Sequence, residues 1–134
     1  MQQAQPSHLL SLVDNMEYND TEAQELARSM NRAFYYVYLL RKGPNWSPDT
    51  TPEIEALQDA HLANLRRLGD EGKLVLNGPL LDSFQLSGDI RGIGVLKARS
   101  LEEAKEWIST DPMVKVGRLI FELHAWMVKK GILP

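Results

Sequence analysis

Thr51-Pro52-Glu53-Ile54-Glu55-Ala56-Leu57-Gln58-Asp59-Ala60-His61-Leu62-Ala63-Asn64-Leu65-Arg66-Arg67-Leu68-Gly69 is the stretch whose reading decides the fold. Pro52 suits a first helical turn, where its missing N–H costs nothing. Ile54, Leu57, Ala60, His61, Leu65 and Leu68 recur at helical spacing and form one stripe. Glu55, Gln58, Asp59, Arg66 and Arg67 fall largely elsewhere. The spacing therefore predicts an amphipathic helix that stops near Gly69 or Gly72, both usable as left-handed C-caps. A short strand, Lys73 to Leu76, should follow and be stopped by Asn77-Gly78-Pro79. His61 sits four residues from both Leu57 and Leu65, so it points toward the core with them. A buried imidazole needs a partner, because an unpaired buried polar group costs about 1–3 kcal/mol.

Working outward, Phe34-Tyr35-Tyr36-Val37-Tyr38-Leu39-Leu40-Arg41 is dense in aromatic and β-branched residues. It reads as a strand buried on both faces and central in its sheet. Lys42 to Thr50 carries Gly43, Pro44, Asn45 and Pro48 and is a loop, with Trp46 either plugging a gap or covering a pocket. Downstream, Leu81 to Gly88 is a connection ending in the turn Ser87-Gly88-Asp89, and Ile90 to Ala98 is the third strand. Within that strand Ile93 and Val95 share one face and Gly92 and Gly94 the other; strand glycines mark close approach of a backbone or a ligand. Ser100-Leu101-Glu102-Glu103 is a capping box, and Leu101, Ala104, Trp107 and Ile108 stripe a second helix that ends at Asp111-Pro112. A helical turn over Met113 to Gly117, a last strand from Leu119 to Val128 and a tail complete the chain.

From residue 34 the order is strand, helix, strand, strand, helix, strand, the ferredoxin-like βαββαβ pattern of an α+β domain. Two helices should cover one face of a four-stranded antiparallel sheet. The strands are apolar on both sides, so the opposite face needs cover as well, and a second copy of the sheet is the simplest: a homodimer is expected. Residues 1–33 read either as a helical extension to the 34–134 domain, packed on that domain or on a second subunit, or as a partly ordered tail. Within it Ser7 to Val13 favours a helical turn, and Asp20-Thr21-Glu22 caps a helix carrying Ala23, Leu26, Ala27 and Met30.

The 134 residues include no cysteine, which excludes disulfides, thiolate nucleophiles and zinc-thiolate sites. A formal net charge of −3 argues against nucleic-acid binding. No apolar run reaches the length of roughly 18 residues needed for a membrane span, so a soluble protein is expected. The polar start, Met1 to Pro6, lacks the basic and apolar regions of a secretory leader, yet it also suits a processed mature end. Cytoplasm and periplasm both remain open. There is no phosphate-binding glycine loop and no Gly-x-Ser-x-Gly elbow, so no nucleotide and no cofactor are expected. His61, Asp111 and His124 have no local metal-ligand spacing, and no metal is expected.

Several motifs together resemble the YCII-related family of the dimeric α/β-barrel group. They are Tyr36-Val37-Tyr38-Leu39-Leu40-Arg41, His61-Leu62-Ala63-Asn64-Leu65, Leu76-Asn77-Gly78-Pro79-Leu80, Ser100-Leu101-Glu102-Glu103-Ala104, Thr110-Asp111-Pro112-Met113-Val114 and Phe121-Glu122-Leu123-His124-Ala125-Trp126. The resemblance spans roughly residues 34–128 and leaves residues 1–33 outside it. It implies a ferredoxin-like dimer whose active site pairs a helix-one His with the Asp of an Asp-Pro step, here His61 and Asp111. A related branch of the family eliminates HCl from chloromuconolactone, and some members carry secretory leaders.

A His beside a carboxylate holds one tautomer and accepts a proton at its other nitrogen, which suits proton abstraction next to a carbonyl. Each residue also has an ordinary structural role open to it. His61 can be a core histidine bonded to a backbone carbonyl, and Asp111 can be the N-cap of the turn after Pro112. The resemblance implies both positions at once and favours the catalytic pair. Candidate substrate contacts are Arg41, Trp46, Gly78, Pro79, His124 and Trp126. Arg41 offers a planar fork for a carboxylate, or is a solvated strand-end charge. Trp46 is a lid or ordinary loop packing, Gly78-Pro79 shapes a pocket wall, and His124 with Trp126 lines a pocket or lies in the subunit contact. The expected function is a cofactor-free enzyme for elimination, dehalogenation or isomerisation of a small carbonyl compound. The alternative is a non-catalytic dimeric module that binds a small ligand.

Overall fold

The computed structural model describes residues 18–81 and 88–134. The expected helical turn at Ser7 to Val13 and most of the connection after Leu81 lie outside the described residues. Helix α1 (Asp20–Ser29) leads to strand β1 (Arg32–Lys42), helix α2 (Pro52–Asp70) and strands β2 (Leu74–Pro79) and β3 (Ile90–Leu96). Helix α3 (Leu101–Ile108), the single turn α4 (Pro112–Lys115) and strand β4 (Leu119–Lys129) follow. The sheet has four strands in the order β2-β3-β1-β4, every neighbouring pair antiparallel. This is the ferredoxin-like α+β arrangement read from the sequence, with β1 central as expected.

Alternation along β1 divides the sheet into two faces. Tyr36, Tyr38 and Leu40 are buried on the helix face, where Leu96, Phe121, Leu123, Leu68, Ala104 and Ile108 complete the core. Burying each of the larger apolar side chains contributes about 1.5–3 kcal/mol. The other face carries Tyr35 and Val95, which are buried, and Val37, Leu39, Ile93 and Ile120, which are half-buried, so the expectation of a strand buried on both sides is met only in part within one chain. Leu76 and Trp126 on this open face are 55% and 46% exposed.

Gly94 stands opposite Tyr38 across the β1–β3 pairing. A Cβ on Gly94 would lie 2.2 Å from Tyr38 Cζ, so the missing side chain is what lets the phenol ring lie flat across β3. The close approach foreseen at the strand glycines is therefore that of a core side chain at Gly94 and of the β2 backbone at Gly92, where a Cβ would lie 3.3 Å from Gly78 O. The end of α2 is also settled: Gly69 stays inside the helix, and Gly72 (φ +76°) is the left-handed residue. The Gly72 N–H donates to Gly69 O and the Lys73 N–H to Leu68 O, a Schellman closure. Strand β2 runs on through Asn77-Gly78 to Pro79 instead of stopping before them. It is an outer strand, where a proline removes no ladder bond that the sheet needs.

The N-terminal helix packs on its own domain. Its cap is Asn19, not Asp20: Asn19 Oδ1 accepts the Glu22 N–H. Asp20 is thereby free for a long-range role. Its Oδ2 accepts the Leu101 N–H, one of the orphan donors at the start of α3, at 3.0 Å. Its Oδ1 accepts from Tyr18 Oη at 2.6 Å and from Tyr36 Oη, while the two hydroxyls lie 3.0 Å apart. Gln24 Nε2 adds a bond to Arg99 O. The capping box at Ser100 is present in a modified form, because the Glu103 carboxylate reaches the Arg99 N–H.

Two consequences are measurable. Gly94→Ala forces the Tyr38 ring from its place and should cost about 1–3 kcal/mol in urea unfolding, as overpacked cores do. Burial, helped by the Asp20 hydrogen bond, pushes the Tyr36 phenol from 10.0 up to about 12. The folded state then holds this proton more tightly than the unfolded state, so the contribution is complete below pH 10 and is lost as pH rises toward 12. Stability measured across that window should fall, and Tyr36→Phe should make the slope shallower.

Candidate active site

Helix α2 presents His61 to the core on the same stripe as Leu57, Leu65 and Leu68, and the chain returns beneath it at the α3–α4 corner. Trp107 O accepts from Thr110 Oγ1 at 2.6 Å, and Thr110 Oγ1 in turn accepts from Asn64 Nδ2 at 3.1 Å. Arg67 Nη2 bonds both Asn64 Oδ1 and Thr110 Oγ1. This clamp, one turn along α2 from His61, fixes residue 110 and so places its neighbour.

That neighbour is Asp111, fully buried, with Oδ2 at 2.6 Å from His61 Nδ1. Its second oxygen, Oδ1, accepts the Met113 N–H at 2.9 Å and caps α4. The expected cap and a contact with His61 are thus both present, one at each oxygen. His61 is 9% exposed and is bonded to this carboxylate rather than to a backbone carbonyl. No hydrogen bond from a described residue engages its Nε2. Tyr38, on the helix face, feels the same carboxylate. Burial and then the Asp111 charge push its phenol well above the ordinary value, so it stays protonated.

A second set of residues gathers beside the pair. The loop after β1 is stitched to the turn before β4: the Gly43 N–H donates to Arg118 O, the Asn45 N–H to Gly117 O, and Asn45 Nδ2 to Val116 O. A Cβ on Gly43 would lie 2.3 Å from Gly117 O, so only glycine permits this contact. The stitch brings Trp46 and Arg118 together. Lys42 Nζ lies 4.2 Å from the Trp46 ring centroid, Arg118 Cζ 5.4 Å and Arg91 Cζ 5.6 Å. These residues and Ile54, Glu55, Gln58 and Asp59 of α2 border an open cleft of about 710 Å³. A smaller recess of about 160 Å³ adjoins it, lined by Trp46, Ile54, Gln58, Pro79, Arg91, Met113, Arg118 and Leu119.

The sequence-derived site residues therefore divide. Trp46 and Pro79 share the recess, one helical turn from His61 and next to the Asp111–Met113 cap. Arg41, His124 and Trp126 lie on the open face of the sheet, and Gly78 pairs with Ile93 there. Arg41 Nε bonds Glu122 Oε1 and its Nη1 bonds Asp89 Oδ2, each at 3.0 Å. His124 Nε2 lies 2.5 Å from Glu122 Oε2, on the face it was expected to share with Glu122. Burial would raise the Glu122 carboxyl, but His124 and Arg41 outweigh it and hold the group below its ordinary value. His61, Asp111 and His124 do not converge, being on opposite sides of the sheet. Lys42, Arg91, Arg118 and the Asn64–Thr110 clamp were not foreseen. Each is assembled by contacts between distant segments, with no local motif.

A model of the YCII-related domain matches residues 34–125. The chain belongs to the YCII-related family. Protein YciI of Escherichia coli and that of Shigella flexneri are each 32% identical over 87 residues, 62% of this chain and 84% of theirs. An uncharacterized protein of Haemophilus influenzae is 31% identical over the same length, 62% of this chain and 85% of its own. Among solved structures, the YCII-related chain matches 5-chloro-2-hydroxyhydroquinone dehydrochlorinase (TftG) of Burkholderia phenoliruptrix, in complex with 2,5-dihydroxybenzoquinone. That match has a TM-score of 0.50 and 23% identity, and covers 70% of this chain and 93% of TftG, a likeness of fold. Among the described residues, no helix is long and apolar enough to cross a membrane.

The double role of Asp111 separates two substitutions. Asp111→Ala in this YCII-related domain removes the cap and strands the imidazole nitrogen, and should cost about 2–4 kcal/mol in urea unfolding. Asp111→Asn keeps a capping oxygen for Met113 and should cost clearly less.

Proposed function

We propose that this chain is a cofactor-free enzyme that performs acid/base chemistry on a small carbonyl compound, with His61 as the proton acceptor and Asp111 as the residue that orients it. The observation that carries this reading is the 2.6 Å contact between His61 Nδ1 and a carboxylate whose other oxygen is already fixed by Met113. A carboxylate held from both sides keeps the proton on Nδ1 and leaves Nε2 basic. Nε2 then takes a proton from a carbon next to the carbonyl. In an elimination the C–H electron pair becomes the new π bond and a leaving group such as chloride departs with its own pair. In an isomerisation the imidazolium returns the proton to a different carbon. The protonated Tyr38 phenol keeps the carboxylate's surroundings neutral.

Membership of the YCII-related family supports the reading, as does a shared fold with TftG, a dehydrochlorinase solved with a hydroxylated quinone. We place the reacting compound in the recess beside Trp46 and Pro79. The proposal includes a homodimer formed through the open sheet face, supported by half-buried Val37, Leu39 and Ile93 and exposed Trp126 and Leu76. In that assembly His124 and Trp126 belong to the subunit contact, and Arg41 to its polar border.

The test is His61→Asn, whose amide N–H keeps the bond to Asp111 but provides no base. With chlorinated hydroxyhydroquinones, small lactones and keto acids as probes, kcat should fall about 10²–10⁴-fold. Sedimentation as a dimer should be unchanged. A His61→Asn protein as active as the wild type would overturn the assignment. Saturable binding of these probes by the wild type without chemical change would favour the ligand-binding module instead.

A further inference from the structure

The recess beside the His61–Asp111 pair has an unusual electrostatic character. Among the described residues it is lined by two guanidinium groups, Arg91 and Arg118, and by no carboxylate. The acidic residues Asp49, Glu55 and Asp59 border the wider cleft outside it. Lys42 brings a third cation to the same Trp46 ring, its Nζ 4.2 Å from the centroid. Attraction to the ring face offsets part of the repulsion among these cations. Arg118 Nη1 is buried and has no hydrogen-bond partner among the described residues. A buried donor of a charged group is costly to leave unpaired, so this nitrogen is available to an acceptor in the recess.

We propose that this recess is a binding site for a one-ring organic anion, with its carboxylate or enolate oxygen held by Arg118 and its ring among Ile54, Pro79, Met113 and Leu119. The chemistry of the lining fits both halves of such a molecule. Arginine presents a planar fork to an oxyanion. The apolar residues supply the remainder of the wall, and the volume of about 160 Å³ is close to the roughly 150 Å³ cavity that takes up benzene. Gln58 of the lining stands three residues before His61 on α2, about 4.5 Å along the helix axis, and Met113 is the residue whose N–H Asp111 accepts. The anion site stands on its own; its service as the substrate pocket rests on the acid/base reading above.

Benzoate and its neutral isostere benzamide are the probes, titrated into the full chain while the Trp46 indole N–H resonance is followed, with Trp46→Phe giving its assignment. Benzoate should shift that resonance saturably, bind at least tenfold more tightly than benzamide, and weaken as salt is raised. Arg118→Gln should reduce benzoate affinity at least tenfold, with circular dichroism confirming the fold. Should that variant not fold, Lys42→Gln must weaken benzoate severalfold by loss of one cation. Failure of millimolar benzoate to shift the resonance, equal binding of benzamide, or undiminished binding in the folded variant would each overturn the proposal. Benzoate binding with His61→Asn as active as the wild type retires the catalytic reading alone. Turnover with no benzoate binding retires the anion site alone.

Discussion

Everything at the centre of this molecule depends on one buried carboxylate. Asp111 has no exposed surface, and an ionised group in that position is tolerated only when its oxygens are satisfied. One oxygen is bound by a backbone N–H of the turn that Asp111 itself begins, the other by an imidazole from a helix fifty residues earlier in the chain. The pair therefore ties α2 to the α3–α4 corner, and the neighbouring Asn64–Thr110 contact repeats the tie one turn away. A helix cap and a buried His–carboxylate contact share a single side chain.

A second carboxylate, Asp20, organises the other end of the fold. It joins α1 to the start of α3 and to the Tyr36 hydroxyl on the central strand. The two acids act by the same physics: each supplies an acceptor at the N-terminal end of a helix, where the first N–H groups have no intrahelical partner. Asp111 lies within the matched YCII-related domain and Asp20 before it. The segment preceding the domain is thus bonded into the domain's own helix layer, through a polar contact and not only through an apolar one.

What could be read from the sequence followed from periodicity. The apolar stripe of α2 located the helix and turned His61 inward; alternation and composition located β1 as the central strand, and the order of elements led to the sheet topology. Spacing alone did not link His61 to Asp111, because nothing local connects residues so far apart; the resemblance to a family did. Asn77-Gly78-Pro79 reads as a turn, yet an outer strand tolerates it, since only one side of that strand must pair. Asp20 is a better-looking cap than Asn19 until its carboxylate is drawn away by Leu101 and two tyrosines. Arg118 had no signal of its own: it reaches Trp46 because two glycines, Gly43 and Gly117, let distant backbones touch.

The outer position of β2 also governs how copies of this chain meet one another. A sheet margin is a template for a foreign strand, and such templates lead to ribbons and fibres. Here the margin ends in Pro79, which has no N–H to donate, and is preceded by a glycine that disfavours extended pairing. Lengthening of the sheet from this side is discouraged by covalent structure alone.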